Sequence, residues 1–140
     1  MANPKPRIQA VTSNAPAWIR LCELSELPQP GARGFALQGH GPDDLFIVRS
    51  GDLLRAYRNS CPHWPGASMP WRKHAYLDGK AKHIVCHGHG ARFTLEDGRC
   101  VLGPCEGKVL EAVPLRIEQG RYVSALFNHS ILDGSIAAAE

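Results

Sequence analysis

The chain has 140 residues, 44% apolar and 21% charged, and its 16 Lys and Arg against 13 Asp and Glu leave a formal net charge of +3. That length suits one domain with its own hydrophobic core and is short for two, so a large catalytic domain is expected on another chain. There is no Lys/Arg block of nucleic-acid-binding length, no run near the roughly 20 apolar residues that span a bilayer, and no apolar signal core in Met1–Arg20. The expectation is a cytoplasmic protein with neither nucleic acid nor membrane as partner.

Residues 1–16, rich in Pro, Ala, Asn and Ser, read as a flexible N-terminal arm, 17–127 as the domain, and 128–140 as a C-terminal tail. Short strands are expected at Trp18–Cys22, Gly34–Gln38, Leu45–Arg49 and Leu54–Asn59, where apolar, aromatic and β-branched residues lie between Gly, Pro and Asp clusters. Between the first two, Glu23–Pro28 has room for one helical turn before Pro28 and Pro30 stop it. Ser50-Gly51-Asp52 signals a hairpin, as does Gln119-Gly120 between Val113–Glu118 and Arg121–Ala125. In the latter, Val113, Leu115 and Ile117 alternate with Pro114, Arg116 and Glu118, the period of a half-buried strand. The fold class is therefore all-β, a small antiparallel domain.

Two short motifs carry chemistry, Cys61-Pro62-His63 and Cys86-His87-Gly88-His89, separated by the 22 residues 64–85. Each can bend a tight loop and aim one thiolate and one imidazole at a common point. Two metal sites accept such a set: a Rieske-type [2Fe-2S] centre, with two Cys on one iron and two His on the other, and a structural Cys2His2 zinc site. Zinc fingers pair Cys with Cys and His with His across short gaps, whereas here each arm carries one of each, which suits a cluster fed from both loops. The candidate cofactor and metal ligands are Cys61, His63, Cys86 and His89, and no residue is assigned as catalytic. Five cysteines, an odd number without a secretory signal, argue for reduced thiols. Cys22 reads as a small buried residue. Cys100 and Cys105 have the C-x4-C spacing of plant-type ferredoxins without the C-x2-C that should follow, and read as structural thiols.

Cys61-Pro62-His63-Trp64-Pro65-Gly66 and Cys86-His87-Gly88-His89-Gly90-Ala91-Arg92-Phe93 closely resemble the two cluster-binding loops of the Rieske family. Asp97-Gly98-Arg99-Cys100-Val101-Leu102-Gly103-Pro104 is similar to its third loop, and Leu110–Val123 to its closing hairpin, so the resemblance covers about Trp18 to Leu126. It implies an antiparallel β-sandwich or partly open barrel with a small cluster-binding subdomain, ligand loops at about 60–70 and 85–94, and a C-x-x-H spacing that selects His89 over His87. His40 and His129 read as surface histidines.

The resemblance also implies a mode of action. Two ferric ions, two sulfides, two thiolates and two neutral imidazoles sum to a formal charge of 0, and one added electron makes it −1: a one-electron carrier. Neutral imidazoles raise the potential above that of an all-Cys cluster, to a range of about −150 to +300 mV. High-potential members place a Ser and a Tyr where this chain has Ala91 and Phe93, and link their loops by a disulfide where it has Gly66 and Gly88. Both departures imply the low-potential branch, ferredoxins that take electrons from a flavin-dependent or other reductase and pass them to an oxygenase or other acceptor. Trp64, Pro65, Met69 and Trp71 can form an apolar docking rim; Trp64 can equally cover the cluster, and Trp71 reads as packing. The basic stretch Arg72–His83 reads as a solvated loop, with steering of an acidic partner as the alternative. Other readings are an accessory or redox-sensing subunit, whose ligand-free relatives contrast with the complete set here, and a Cys–His hydrolase using Cys86, for which nothing else in the chain supplies a base.

Overall fold

A computed structural model describes residues 16–128, within which the chain forms β1 (Pro16–Glu23), β2 (Gly31–Phe35), β3 (Leu45–Ser50), β4 (Leu53–Arg58), β5 (His83–Cys86), β6 (Ala91–Thr94), β7 (Cys100–Leu102), β8 (Leu115–Glu118) and β9 (Tyr122–Asn128). Apart from Pro16 and Asn128, which lie in strands, the expected arm and tail fall outside the described residues. The strands make three antiparallel three-stranded sheets, ordered β1-β9-β8, β2-β3-β4 and β5-β6-β7, and no closed barrel among the described residues.

The unbroken apolar run Leu45-Phe46-Ile47-Val48 explains how the sheets stack. A strand points successive side chains to opposite faces, so four fully buried residues in a row require cover on both sides, and β3 is the central strand of the middle sheet. Leu45 and Ile47, with Ala56 of β4, join Val123, Ala125 and Phe127 of β9 in one core. Phe46 and Val48, with Tyr57, join Met69, Tyr76, Ile84 and Phe93 in the other, under the sheet that carries the second Cys/His motif. Each buried Leu, Ile or Phe contributes about 1.5–3 kcal/mol, so the lobe with the motifs has its own apolar foundation.

Several boundaries differ from the sequence expectation. The second strand is Gly31–Phe35 rather than Gly34–Gln38, because the Leu37 N–H donates to the Asp44 carboxylate (2.8 Å) and Gly39 N–H to Ala36 (2.9 Å), folding the later residues into a turn. β8 starts at Leu115, not Val113: Val113 N–H is drawn to the Ala56 carbonyl (2.9 Å), and Pro114 has no N–H to give a ladder. The alternation there holds only in part, since Val113 is buried but Ile117, on an edge strand, is 41% exposed. The expected helical turn is Leu24–Glu26, closed by Glu23 N–H donating to Glu26 (2.9 Å).

Candidate metal centre

Both motifs sit where strands end. Two residues separate Cys61 from the end of β4, and the first loop then curls on itself: Trp64 N–H donates to the Cys61 carbonyl (3.0 Å) and Cys61 N–H to Ala67 (3.1 Å). Asn59 clips this loop to the domain, accepting from Met69 N–H (2.8 Å) while its amide donates to Asp43 carbonyl (3.0 Å) and Ser68 hydroxyl (2.9 Å). Sequence reasoning missed this residue; an Asn between a strand and a ligand motif, a type that commonly bonds nearby backbone, was the available signal. The second motif is the turn of the β5–β6 hairpin, with Cys86 in register with Ala91 and the Cys86 carbonyl accepting from His89 (3.2 Å) and Gly90 (2.7 Å) N–H groups. Gly90 takes φ of +75°, which a Cβ would strain. The loops are tied directly by His87 N–H donating to the Met69 carbonyl (2.9 Å).

These constraints bring the side chains together. Donor atoms of Cys61, Cys86 and His89 lie within 4.8 Å of one another, with both sulfurs buried and His89 exposed. Cys86 Sγ is 3.7 Å from His89 Nδ1, and the His63 ring stands edge-on to the His89 ring at 4.5 Å between centroids. His63 Nδ1 is buried without a hydrogen-bond partner, a cost of about 1–3 kcal/mol that a metal bond would remove. Burial pushes the Cys86 thiol up, and the Cys61 thiol beside it adds to the shift. Such a pair resists ionisation until cations share the space, so the donor set suits a metal cluster and opposes an activated hydrolase nucleophile.

His87 Nδ1 is also buried and unpartnered, and neither His63 nor His87 is in the Cys61–Cys86–His89 group; the two differ in that the His63 ring meets the His89 ring, whereas the His87 ring faces Trp71 (6.3 Å between centroids). Two rim expectations need correcting. Met69 is fully buried in the core, since its backbone is pinned by Asn59 on one side and His87 on the other. Trp71 is 64% exposed rather than packed, its ring against the Arg72 guanidinium (4.7 Å). Trp64, at 65%, stands in solvent. The basic stretch is largely exposed and held by two carboxylates: Asp43 meets Lys73 (3.6 Å), and Asp78 meets Arg92 (2.9 Å) and His83 (3.5 Å).

A third segment braces the second motif. Gly103, at φ of +108°, lies so close to the hairpin that a Cβ there would meet Ala91 Cα at 2.8 Å. Behind it Cys100 and Cys105, read from the sequence as structural thiols, are both buried with their sulfurs 3.2 Å apart. Burial, the neighbouring Cys100 and the nearby Cys61 push the Cys105 thiol up to about 12.

The family profile described as Rieske [2Fe-2S] domain matches residues 17–119. The chain belongs to the Rieske [2Fe-2S] domain family. Its cofactor is a [2Fe-2S] cluster, and the zinc alternative falls away. Among solved structures, the Rieske domain is similar to a chain of the complex of reduced oxygenase and oxidised ferredoxin in carbazole 1,9a-dioxygenase, at 27% identity and TM-score 0.58, covering 77% of this chain and 92% of that one. It shares its fold with the carbazole 1,9a-dioxygenase ferredoxin of Nocardioides aromaticivorans (23% identity, TM-score 0.56, covering 79% and 97%). The same holds for a Sphingomonas yanoikuyae ferredoxin (19%, TM-score 0.55, covering 80% and 98%). No curated protein matches the chain. No helix among the described residues is long and apolar enough to cross a membrane.

Proposed function

We propose that this Rieske domain is a low-potential, cytoplasmic ferredoxin that accepts single electrons from a flavin-dependent or other reductase and delivers them to an oxygenase or related acceptor. The observation that carries the reading is the convergence of two buried sulfurs with two imidazoles, one of them at the surface. In this reading Cys61 and Cys86 hold one iron and His63 and His89 the other. The cluster, when bound, supplies a one-electron site.

The protein's own residues do the rest. Met69, Ala91 and Phe93, each fully buried, keep water from the sulfur side. His89, exposed, offers the short path to a docked partner, and Trp64 beside His63 offers that partner an apolar contact. Low potential follows from what lies near the sulfurs: Ala91 faces Cys86 across the hairpin without a hydroxyl, and Phe93 without a phenol, so the more negative reduced state lacks two donors. An oxygenase as acceptor is supported by the relative found in an oxygenase–ferredoxin complex.

The test is EPR of the dithionite-reduced protein with iron and acid-labile sulfide analysis. A rhombic signal of mixed His/Cys ligation with two irons and two sulfides per chain is expected. A silent spectrum, or the axial-type signal of all-Cys ligation, overturns the ligand assignment.

A further inference from the structure

The buried Cys100–Cys105 pair has no part in the electron-carrier reading. Its sulfurs are 3.2 Å apart, with the Cys105 S–H directed at Cys100 Sγ. The backbones of both residues are pinned: Cys100 N–H donates to Lys108 (2.8 Å), Gly107 N–H to Cys100 (3.2 Å) and Lys108 N–H to Cys105 (2.9 Å). A disulfide needs sulfurs about 2.05 Å apart, so the two must approach by roughly 1 Å to bond. The residues between them include Gly103, whose backbone packs on Ala91 of the second motif.

We propose that Cys100 and Cys105 form a reversible dithiol–disulfide site for hydrogen peroxide, placed at the base of the segment that braces the metal centre. Cys100 and Cys105 are 2% and 1% exposed, so the oxidant must be small. Cys100, whose S–H donates to the Leu102 carbonyl (3.3 Å), first gives up that proton; its thiolate attacks one peroxide oxygen, the S–O bond forms, the O–O bond breaks, and the departing hydroxide takes the proton and leaves as water, giving a sulfenic acid. Cys105 sulfur then displaces that oxygen; the S–S bond forms, the S–O bond breaks, and a second water carries off the remaining proton. Two thiols and one peroxide thus become one disulfide and two waters, with two electrons passing from sulfur to oxygen. A dithiol reverses the reaction by exchange when the segment opens enough to admit it.

The holoprotein is treated with hydrogen peroxide, quenched with catalase, then denatured in an alkylating agent and digested with trypsin. The fragment Cys100–Lys108 holds both thiols and no other cysteine. The expected result is loss of both alkyl groups from this fragment, their full return after dithiothreitol, and retention of the cluster's visible absorption. Cys105→Ser should instead leave Cys100 as a sulfenic acid that dimedone captures. Free thiols after treatment, irreversible sulfinic acid, or a disulfide involving Cys61 or Cys86 after bleaching would each overturn the proposal. Because the assay reads thiols directly, its failure is distinct from failure of the ligand assignment, which EPR reads.

Discussion

Ala91→Ser places a hydroxyl opposite the candidate ligand Cys86, and it should raise the cluster's midpoint potential. Ala91 is fully buried and in register with Cys86, and directly opposed residues have Cβ atoms about 4.5–5.5 Å apart. Gly103 packs against Ala91 and leaves the added Oγ little room on that side, so the hydroxyl is expected to bond a sulfur of the site. A hydrogen bond to a charged acceptor contributes about 1.5–3 kcal/mol; if roughly half of that is realised only in the reduced state, the difference is about 1 kcal/mol. For a one-electron couple a tenfold change is about 59 mV, so the expected rise is about 40 mV, with up to about 65 mV for a well-aligned bond. Protein-film voltammetry or a spectroelectrochemical titration reads the shift, with the EPR signal showing an intact cluster. Phe93→Tyr should move the potential in the same direction. Unchanged potentials in both variants, with clusters intact, would refute the argument that missing donors set this branch.

Ligand assignment predicts opposite results for neighbours: His63→Ala should lose the cluster during purification, His89→Cys should keep one at lower potential, and His87→Ala should leave visible absorption nearly intact, measured with iron content. Asn59→Ala removes the acceptor of a buried Met69 N–H and should cost about 1–3 kcal/mol, seen as a lower urea midpoint and faster bleaching by a chelator. Gly34→Ala drives a Cβ into the Asp43 carboxylate and to 2.9 Å from the Tyr76 ring, and should lower the urea midpoint by about 1–3 kcal/mol of stability at unchanged slope. Burial pushes the Asp78 carboxyl up, but the Lys82 and His83 N–H groups, the His83 ring and Arg92 outweigh it and hold it below its ordinary 3.8. A lowered folded-state value means stability that is present above that ordinary value and lost as pH falls through the folded one. Asp78→Asn should therefore flatten the acid limb of a stability-against-pH curve, and an unchanged limb would count against the pairing.

How far the sequence carried depended on the range of each cause. The Cys/His motifs were legible because ligand chemistry is local, with one or two residues between donors fixing a bend and a direction; of the four residues expected, Cys61, Cys86 and His89 have donor atoms within 4.8 Å of one another, and His63 lies outside that group with its ring against His89. β3 and β4 were legible because apolar runs bounded by Ser50-Gly51-Asp52 have few other folds open to them. β5, β6 and β7 were read as loop, since strands of four, four and three residues show no period, and they exist through pairing with one another and burial against Phe46 and Tyr57. The second ligand loop is consequently a hairpin turn, a stiffer mount than a loop.

Trp71 and Met69 were misplaced for a related reason. Hydrophobicity alone favours burying the larger ring, but burial here is decided by backbone bonds that begin far from either residue. Asn59 takes the Met69 N–H and His87 gives its own to the Met69 carbonyl, so the thioether is fixed between the two motifs, under the cluster site. Two residues on, past Pro70, Trp71 lies beyond that clamp and is left outside. The same clamp couples the two ligand loops, so a substitution that loosens the first loop must also displace His87 and the hairpin carrying Cys86 and His89. Site integrity and loop stability are therefore one property in this fold, and Asn59, which touches no candidate ligand side chain, is the residue through which it is most directly tested.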